Sequence, residues 1–527
     1  MKKIHYINIM EKVLSAYTGE HIDRYYQDVK EKGLTEHGFP RLTANIGILI
    51  AHGRRTDLFS RFIQMMNLCC EEIPQVKDAA NEFSIKEIIF CILELEKHAV
   101  VSAAQLKAWK ECLTKVTVQN CYSIYAEAPD SKVNNWAAFT MVSEWMRYYI
   151  NAAEEDRGFI DNQAASQLQF LDCNGMYRDP DEPMVYDLVT RGLFSLLFHF
   201  GYRGKYFEQW DQELKKAGMY SLKMLSVTGE IPYGGRSNQF LHNEAHAAVI
   251  MEYEAARYET LGDLKTAEKF KAAAGRALRN IEMWLKQNPI THVKNAFPRD
   301  TGYGCEVYAY FDKYMITAAS FLYVAYLFCK DTVPAGNLED VKGECWQTSD
   351  HFHKVFLRAG KYFAEYDYCA DYHYDASGLG RLHRENAPSA LCLSTPGTHT
   401  PSYKVNAGNE MLPFAISPQV LYQGEWLNGA APDAIHQVEQ HGAKDETAFT
   451  RIRCSWQGKT EVTGTYWLDK DGIKITLDGK EGIGLMIPAF QFDGQENTVI
   501  VHRDHSLSVQ YKNWECCYQV ENGKICR

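Results

Sequence analysis

No stretch of the sequence approaches 18 uninterrupted apolar residues, so no helix is expected to span a membrane. It also lacks a positive surplus. Its 56 Lys and Arg stand against 67 Asp and Glu, a formal charge of −11 with no basic stripe, and nucleic acid is not expected as a partner. CxxC pairs are absent as well. The 15 cysteines are an odd number and lie scattered, with Cys69-Cys70 and Cys516-Cys517 adjacent in sequence. That usage fits free thiols better than a disulfide framework or a metal cluster. The opening Met1-Lys2-Lys3-Ile4-His5-Tyr6 is followed by Asn8, Glu11 and Lys12, so it holds no secretory apolar run. With the thiols, this makes a cytoplasmic location the expectation.

What is present is ordinary in bulk and unusual in detail. A chain of 527 residues, 46% hydrophobic and 23% charged, is long enough for a large core and for two or three domains. Aromatics reach 13%, with 32 Tyr and 10 Trp. Up to about residue 400 the apolar spacing predicts a succession of amphipathic helices. Clear examples are Leu58–Cys70, Ile85–Lys97, Ala104–Val116, Ala137–Asn151, Ala164–Asp172, Met184–Gly201, Trp210–Val227, Ala245–Leu261, Lys265–Gln287 and Tyr314–Cys329. Paired helices over such a length, without a strict repeat, suggest a mainly α fold: an (α/α)6-type toroid of helical hairpins over residues 1–400. From about Tyr403 apolar and polar residues alternate in Phe449–Trp456, Lys459–Leu468, Gly472–Leu477, Ile483–Gln491, Asn497–Arg503 and Ser506–Val520. An antiparallel β-domain over 401–527 is expected, with the boundary inside Pro396–Pro418.

The richest stretch for chemistry runs from Gly229 to Glu244. Pro232, Gly234 and Gly235 make it begin as a turn, and Ser237 or Asn238 offers an N-cap to a helix over Ala245–Tyr258. Arg236, Asn238, Gln239, His242 and Glu244 would then gather near one helix N-terminus, a place suited to an anion such as a carboxylate. Four further connectors are rich in polar and aromatic side chains. They are Asn134-Asn135-Trp136; Tyr177 through Asp187; Arg299 through Tyr308, which includes Tyr303 and Glu306; and Asp371 through Asn386, which includes His383. Bland roles compete with each. Asn135 can simply cap a helix, and Asp187 lies in a first helical turn where the dipole favours a carboxylate. His242 and His246 share a helix face but lack an evident third ligand, so no metal and no cofactor are expected.

The ordered set Asn134-Asn135-Trp136, Gly175-Met176-Tyr177 with Asp179, Tyr186-Asp187 and Gly235-Arg236-Ser237 resembles that of bacterial α/α-toroid carbohydrate-active proteins. It is similar to heparinase-like polysaccharide lyases, to a family with a GRS-type turn, and to a glycoside hydrolase family of β-glucuronidases. The resemblance covers roughly residues 120 to 400. It departs from the GRS-turn family after Ser237, where Asn238-Gln239 and His242-Asn243-Glu244 stand.

That resemblance implies an oligosaccharide substrate carrying a uronic acid, and it leaves two chemistries open. An exo-acting glycosidase of β-glucuronidase type would use Glu244 as acid, with Glu306 or Asp187 as the second carboxylate and Asp300 and Glu385 as further carboxyls. A lyase would remove the proton α to the uronate carboxyl with Tyr303 or Tyr308, supported by His242, Asn238 and His383. In both, Arg236 pairs with the substrate carboxylate. Trp136 and Tyr177 would line sugar subsites, with Asn135, Gln239 and Arg299 as further contacts. The hydrolase is the leading expectation and the lyase the alternative. A non-catalytic glycan-binding protein or an epimerase stays open, as does homo-oligomer formation.

Overall fold

The computed structural model describes all residues except 1, 78, 124–134, 337, 339–341, 393–396, 406–413, 481, 489, 491, 504, 524, 526 and 527. Asn134 therefore lies outside the described residues. The chain divides into two compact units. The first holds Met1–Lys223, Phe240–His292 and Ala309–Gly336; the second holds Met224–Gln239, Val293–Tyr308 and Asn337–Arg527.

The first unit is helical. Its helices are α1 (Ile4–Leu14), α2 (Gly19–Lys32), α3 (Gly38–Ala51), α4 (Phe59–Glu72), α5 (Asn81–Lys97), α6 (Ala103–Leu113) and α7 (Val118–Cys121). There follow α8 (Asn135–Tyr149), α9 (Arg157–Leu168), α10 (Met184–His199), α11 (Phe207–Met224), α12 (His242–Thr260), α13 (Leu264–Trp284) and α14 (Phe311–Phe328). Among the described residues, α3, α5, α8, α10, α12 and α14 touch one another in a closed cycle, each packing on the next and α14 returning to α3. Burial explains which helices take these places. Every residue of α3 is buried, as a helix enclosed on all sides requires. By contrast α4 buries Phe62, Met65, Met66, Cys69 and Cys70, a single stripe at three-to-four spacing, and α2 buries only Ile22 and Val29. Thr18, Ser102, Asp156 and Asp263 cap their helices by accepting a backbone N–H. No described helix is long and apolar enough to cross a membrane.

The second unit is built of antiparallel sheets. One has the order β1 (Glu344–Gln347), β2 (Lys354–Ala359), β3 (Tyr362–Asp367), β4 (Gly378–Arg384). After β5 (Ser417–Tyr422) and β6 (Glu425–Asn428) come β7 (Ala434–Lys444), β8 (Thr447–Trp456), β9 (Thr460–Leu468) and β10 (Ile473–Gly479), which form a second sheet. Two smaller sheets join β11 (Ile483–Met486) to β5 and β6, and β12 (Val499–Arg503), β13 (Ser506–Tyr511) and β14 (Trp514–Gln519) to one another. The first two sheets share a core of Val355, Leu357, Tyr366, Leu379, Ile452, Tyr466 and Leu468. Strand β8 shows the reason: Ala448, Thr450, Ile452, Cys454 and Trp456 point inward and the residues between them do not.

A helical N-terminal part followed by antiparallel sheets is thus present, but the boundary differs from that expected at 400. Strands begin at Glu344, and the stretch from Asp371 to Asn386, expected as a helix connector, contains β4. The second unit also takes up the loops Met224–Gln239 and Val293–Tyr308. Ser506–Val520, expected as one strand, is the hairpin of β13 and β14.

Candidate functional site

The turn around Arg236 belongs to the second unit. Gly234 has φ 137°, Gly235 φ 70° and Ser237 φ 67°. Two glycines supply the first two of these conformations without strain, and Ser237 adopts the third despite its Cβ. The backbone is held there by side chains. Tyr233 N–H donates to Glu365 Oε1 at 3.1 Å and Gly234 N–H to Asn238 Oδ1 at 2.6 Å. Gly235 N–H donates to Asp375 Oδ2 at 3.0 Å and Ser237 N–H to Glu306 Oε1 at 2.5 Å. Three of the protein's own carboxyl groups therefore accept backbone N–H groups of the turn. The helix expected from Ala245 starts earlier, at His242, and its N-cap Leu241 makes no side-chain cap.

Ser237 Oγ lies 3.0 Å from Tyr308 Oη, and Tyr308 is 40% exposed. Burial pushes the Glu306 carboxyl up, opposed by the Ser237 N–H and by the Arg236 charge. Arg236 also acts electrostatically on Tyr374, and Tyr403 Oη donates to the Tyr374 carbonyl at 3.0 Å. Short bridges, Glu306 to Tyr403 and Tyr303 to Lys404, join the two chain segments. Arg236, Ser237, Glu306, Tyr308, Tyr374 and Tyr403 thus form one constellation.

A layer of buried charge underlies the turn. Register places Lys354 opposite Asp367 and Glu365 opposite Arg381, so opposite charges meet across neighbouring strands. Lys354 Nζ is 2.5 Å from Asp367 Oδ2, and His353 Nδ1 is 2.7 Å from Asp367 Oδ1. Arg381 binds Glu365 and donates to the Ile231 carbonyl. The Tyr233 ring has Lys354 Nζ 4.0 Å and the Arg381 guanidinium 5.5 Å from its centroid. Burial pushes Glu365 up to about 7 against the pull of Arg381 and Lys354. Burial and then the neighbouring Asp367 charge push Asp375 up to about 7. Burial also opposes ionisation of Asp367, but His353 and Lys354 hold its carboxyl below the usual range. Glu365, Asp367 and Lys354 lie outside the stretches picked out from sequence, whereas Tyr233 and Asp375 lie within them. The available signal was two carboxylates two apart on one strand, Glu365 and Asp367, which must share a sheet face.

Other expected site residues have settled roles in the second unit. His383 is buried, with Nδ1 2.8 Å from Ser226 Oγ and 3.2 Å from Thr228 Oγ1 and with Nε2 3.5 Å from Glu230 Oε2. It is an interior histidine. Asn238 braces Gly234, and the Gln239 carbonyl accepts the Lys294 N–H at 2.7 Å. The Tyr303 ring packs edge-on against Phe297, with Lys404 Nζ 5.1 Å from its centroid. Arg299 and Asp300 lie on a short 3-10 turn, Asp300 exposed and Glu385 half-buried.

The remaining expected residues belong to the first unit. Asp187 is buried against Arg191, which donates through Nε at 2.8 Å and Nη2 at 2.5 Å, and it accepts the Tyr177 N–H at 2.7 Å. This fork engages both Asp187 oxygens. Tyr177 is fully buried, its hydroxyl donating to Gln167 Oε1 at 2.5 Å, so it lines no open subsite. Asn135 donates to Asp179 Oδ1 from its backbone at 2.8 Å and its side chain at 3.1 Å, and Trp136 meets Phe83 edge-on. Glu244 is fully buried in the first turn of α12. His242 stacks on Phe240, and His246 packs on Phe321 with burial driving its ring toward the neutral form.

No protein-family model matches the chain, and no curated protein matches it. Among solved structures it is similar to a heparan sulfate lyase HepC mutant from Pedobacter heparinus, at 9% identity and TM-score 0.38, covering 92% of this chain and 82% of that one. A heparinase III gene product with methylated lysines matches at 9% identity and TM-score 0.28, covering 86% of this chain and 67% of the other. HepC from Pedobacter heparinus without that description of a mutant matches at 12% identity and TM-score 0.20, covering 89% and 82%. None of these three is a β-glucuronidase. Similarity at this level gives no residue correspondence.

Proposed function

We propose that the protein is a carbohydrate-active enzyme that cleaves an oligosaccharide carrying a uronic acid, by β-elimination, at the turn of Arg236 and Ser237. The observation that carries this is the pairing of Tyr308 Oη with Ser237 Oγ at 3.0 Å, in the turn that presents Arg236. Elimination needs a base for the proton α to the uronate carboxyl and a group to neutralise that carboxylate as charge develops. Tyr308, half open to solvent and oriented by Ser237, fills the first role. Arg236 fills the second through its fork of donors. Glu306, whose carboxyl burial pushes up, holds the same turn by accepting the Ser237 N–H. Tyr308 takes the C5 proton, the electron pair forms the C4–C5 double bond, and the glycosidic oxygen on C4 leaves with a proton returned by Tyr308, generating an unsaturated sugar. The closed cycle of helices in the first unit supports the α/α-toroid reading of the fold.

Hydrolysis is the second reading, and the raised Glu306 carboxyl favours it, since a glycosidase needs a protonated acid. It also needs a second carboxylate, and Asp187 is taken by Arg191. One experiment separates the two. The protein is incubated with glucuronide-ended oligosaccharides and with a polyuronate while ultraviolet absorbance and reducing sugar are followed together. Rising absorbance from an unsaturated uronate, lost in Tyr308→Phe, is the expected result. Reducing sugar without absorbance, lost in Glu306→Gln, would establish hydrolysis in its place. Binding without either product would assign a glycan-binding role.

A further inference from the structure

We propose that His52, Glu94 and His98 form a binding site for a divalent transition metal of the zinc class, clamping the end of α3 to the end of α5. The three side chains come from two helix termini. His52 is the residue after α3, His98 the residue after α5, and Glu94 lies one turn before His98. Both imidazoles address the same carboxylate oxygen: His52 Nε2 and His98 Nε2 each lie 3.2 Å from Glu94 Oε2. The rings are 4.9 Å apart at 58°, and the three donor atoms all fall within 4.8 Å of one another.

The two histidine-to-glutamate separations match metal geometry. Tetrahedral zinc, with bonds of roughly 2.0–2.1 Å, holds neighbouring ligand atoms about 3.3 Å apart. His52 Nε2 is enclosed by the protein and faces Glu94 Oε2. Tyr323 Oη donates to the other Glu94 oxygen at 3.1 Å, fixing the carboxylate and leaving Oε2 to a ligand. Two helix C-termini meet at this point, and their carbonyl ends favour a cation. The side chain of His98 is 35% exposed, which gives an ion a route in and leaves a fourth position for water.

The competing arrangement is an ion-pair network in which Lys97, 3.4 Å from Glu94 Oε1, supplies the positive charge. Its side chain is 59% exposed and is free to swing into solvent when an ion enters.

The test uses the full chain, stripped with a chelator and titrated with zinc by calorimetry and with cobalt by visible absorption. One equivalent is expected to bind, with tetrahedral cobalt bands and a rise in melting temperature. His98→Ala should weaken binding by at least about tenfold, as loss of a direct ligand must at minimum match loss of a supporting one. His98→Asp, which restores an oxygen donor, should recover part of it, and Lys97→Ala should leave binding equal or tighter. Zinc captured by exposed thiols such as Cys173 or Cys369 would be indifferent to His98. Absence of stoichiometric binding, or equal titrations for wild type and His98→Ala with both folded by circular dichroism, overturns the site.

Discussion

Replacing Lys354 by Met tests whether the charge layer holds the turn. Lys354 is fully buried, with Nζ 2.5 Å from Asp367 Oδ2, 3.7 Å from Glu365 Oε1 and 4.0 Å from the Tyr233 ring centroid. Met fills a similar volume, so the loss is electrostatic. Among the described residues, Glu365 would keep Arg381 as an ion-pair partner and Asp367 its hydrogen bond with His353. Breaking a buried pair by removing one partner costs about 3–5 kcal/mol. The pH dependence is the sharper signature. Asp375 and Glu365, both pushed up to about 7, contribute stability below their unfolded pKa near 4 and lose it as pH rises toward 7. Asp367, held low, works the opposite way: its contribution is present above the unfolded value and lost as pH falls below it. Without Lys354, Asp367 loses a cation that keeps it low and moves toward the behaviour of its two neighbours. K354M should therefore be least impaired near pH 5 and most impaired near pH 8, when denaturant unfolding is followed by tryptophan fluorescence and calorimetry. A loss below about 1 kcal/mol, or the same loss at both pH values, would refute the reasoning.

Three further outcomes follow from the geometry. Tyr308→Phe should lower kcat by about 10²–10⁴-fold while stability changes by no more than about 1.5 kcal/mol, and turnover within about twofold of wild type would remove Tyr308 from the chemistry. Asp187→Asn leaves the buried Arg191 charge unpaired and should cost about 3–5 kcal/mol, with kcat per folded molecule unchanged. A variant with wild-type melting and no turnover would return Asp187 to the list of catalytic groups. In Gly380→Ala the new Cβ would stand 2.4 Å from Tyr233 Cζ and Oη, on a ring with cations close by. Overpacking there should cost about 1–3 kcal/mol and displace the Arg236 turn, read as a loss of activity larger than the loss of stability.

The sequence by itself marked α4 to α6, α8 to α14 and the strands from β8 onward, because their signal is local. In α4 the buried residues 62, 65, 66, 69 and 70 write the helical period directly, and in β8 alternation writes the strand period. Gly234-Gly235 likewise announces its turn. Strands β1 to β4 escaped because β2 is buried along its whole length and β3 nearly so, with no polar face to mark alternation, and because both carry charged residues inside. Tertiary structure alone decided what braces the turn. Glu306 reaches Ser237 across 69 residues and Asp375 reaches Gly235 across 140, partnerships that no local propensity records. The Lys354–Asp367 and Arg381–Glu365 pairs depend on register, and His52 meets Glu94 and His98 only where two helix ends converge. Periodicity reports which face of an element is buried; what meets it there is set by how distant elements pack, since a buried charge must find its partner wherever the fold brings one.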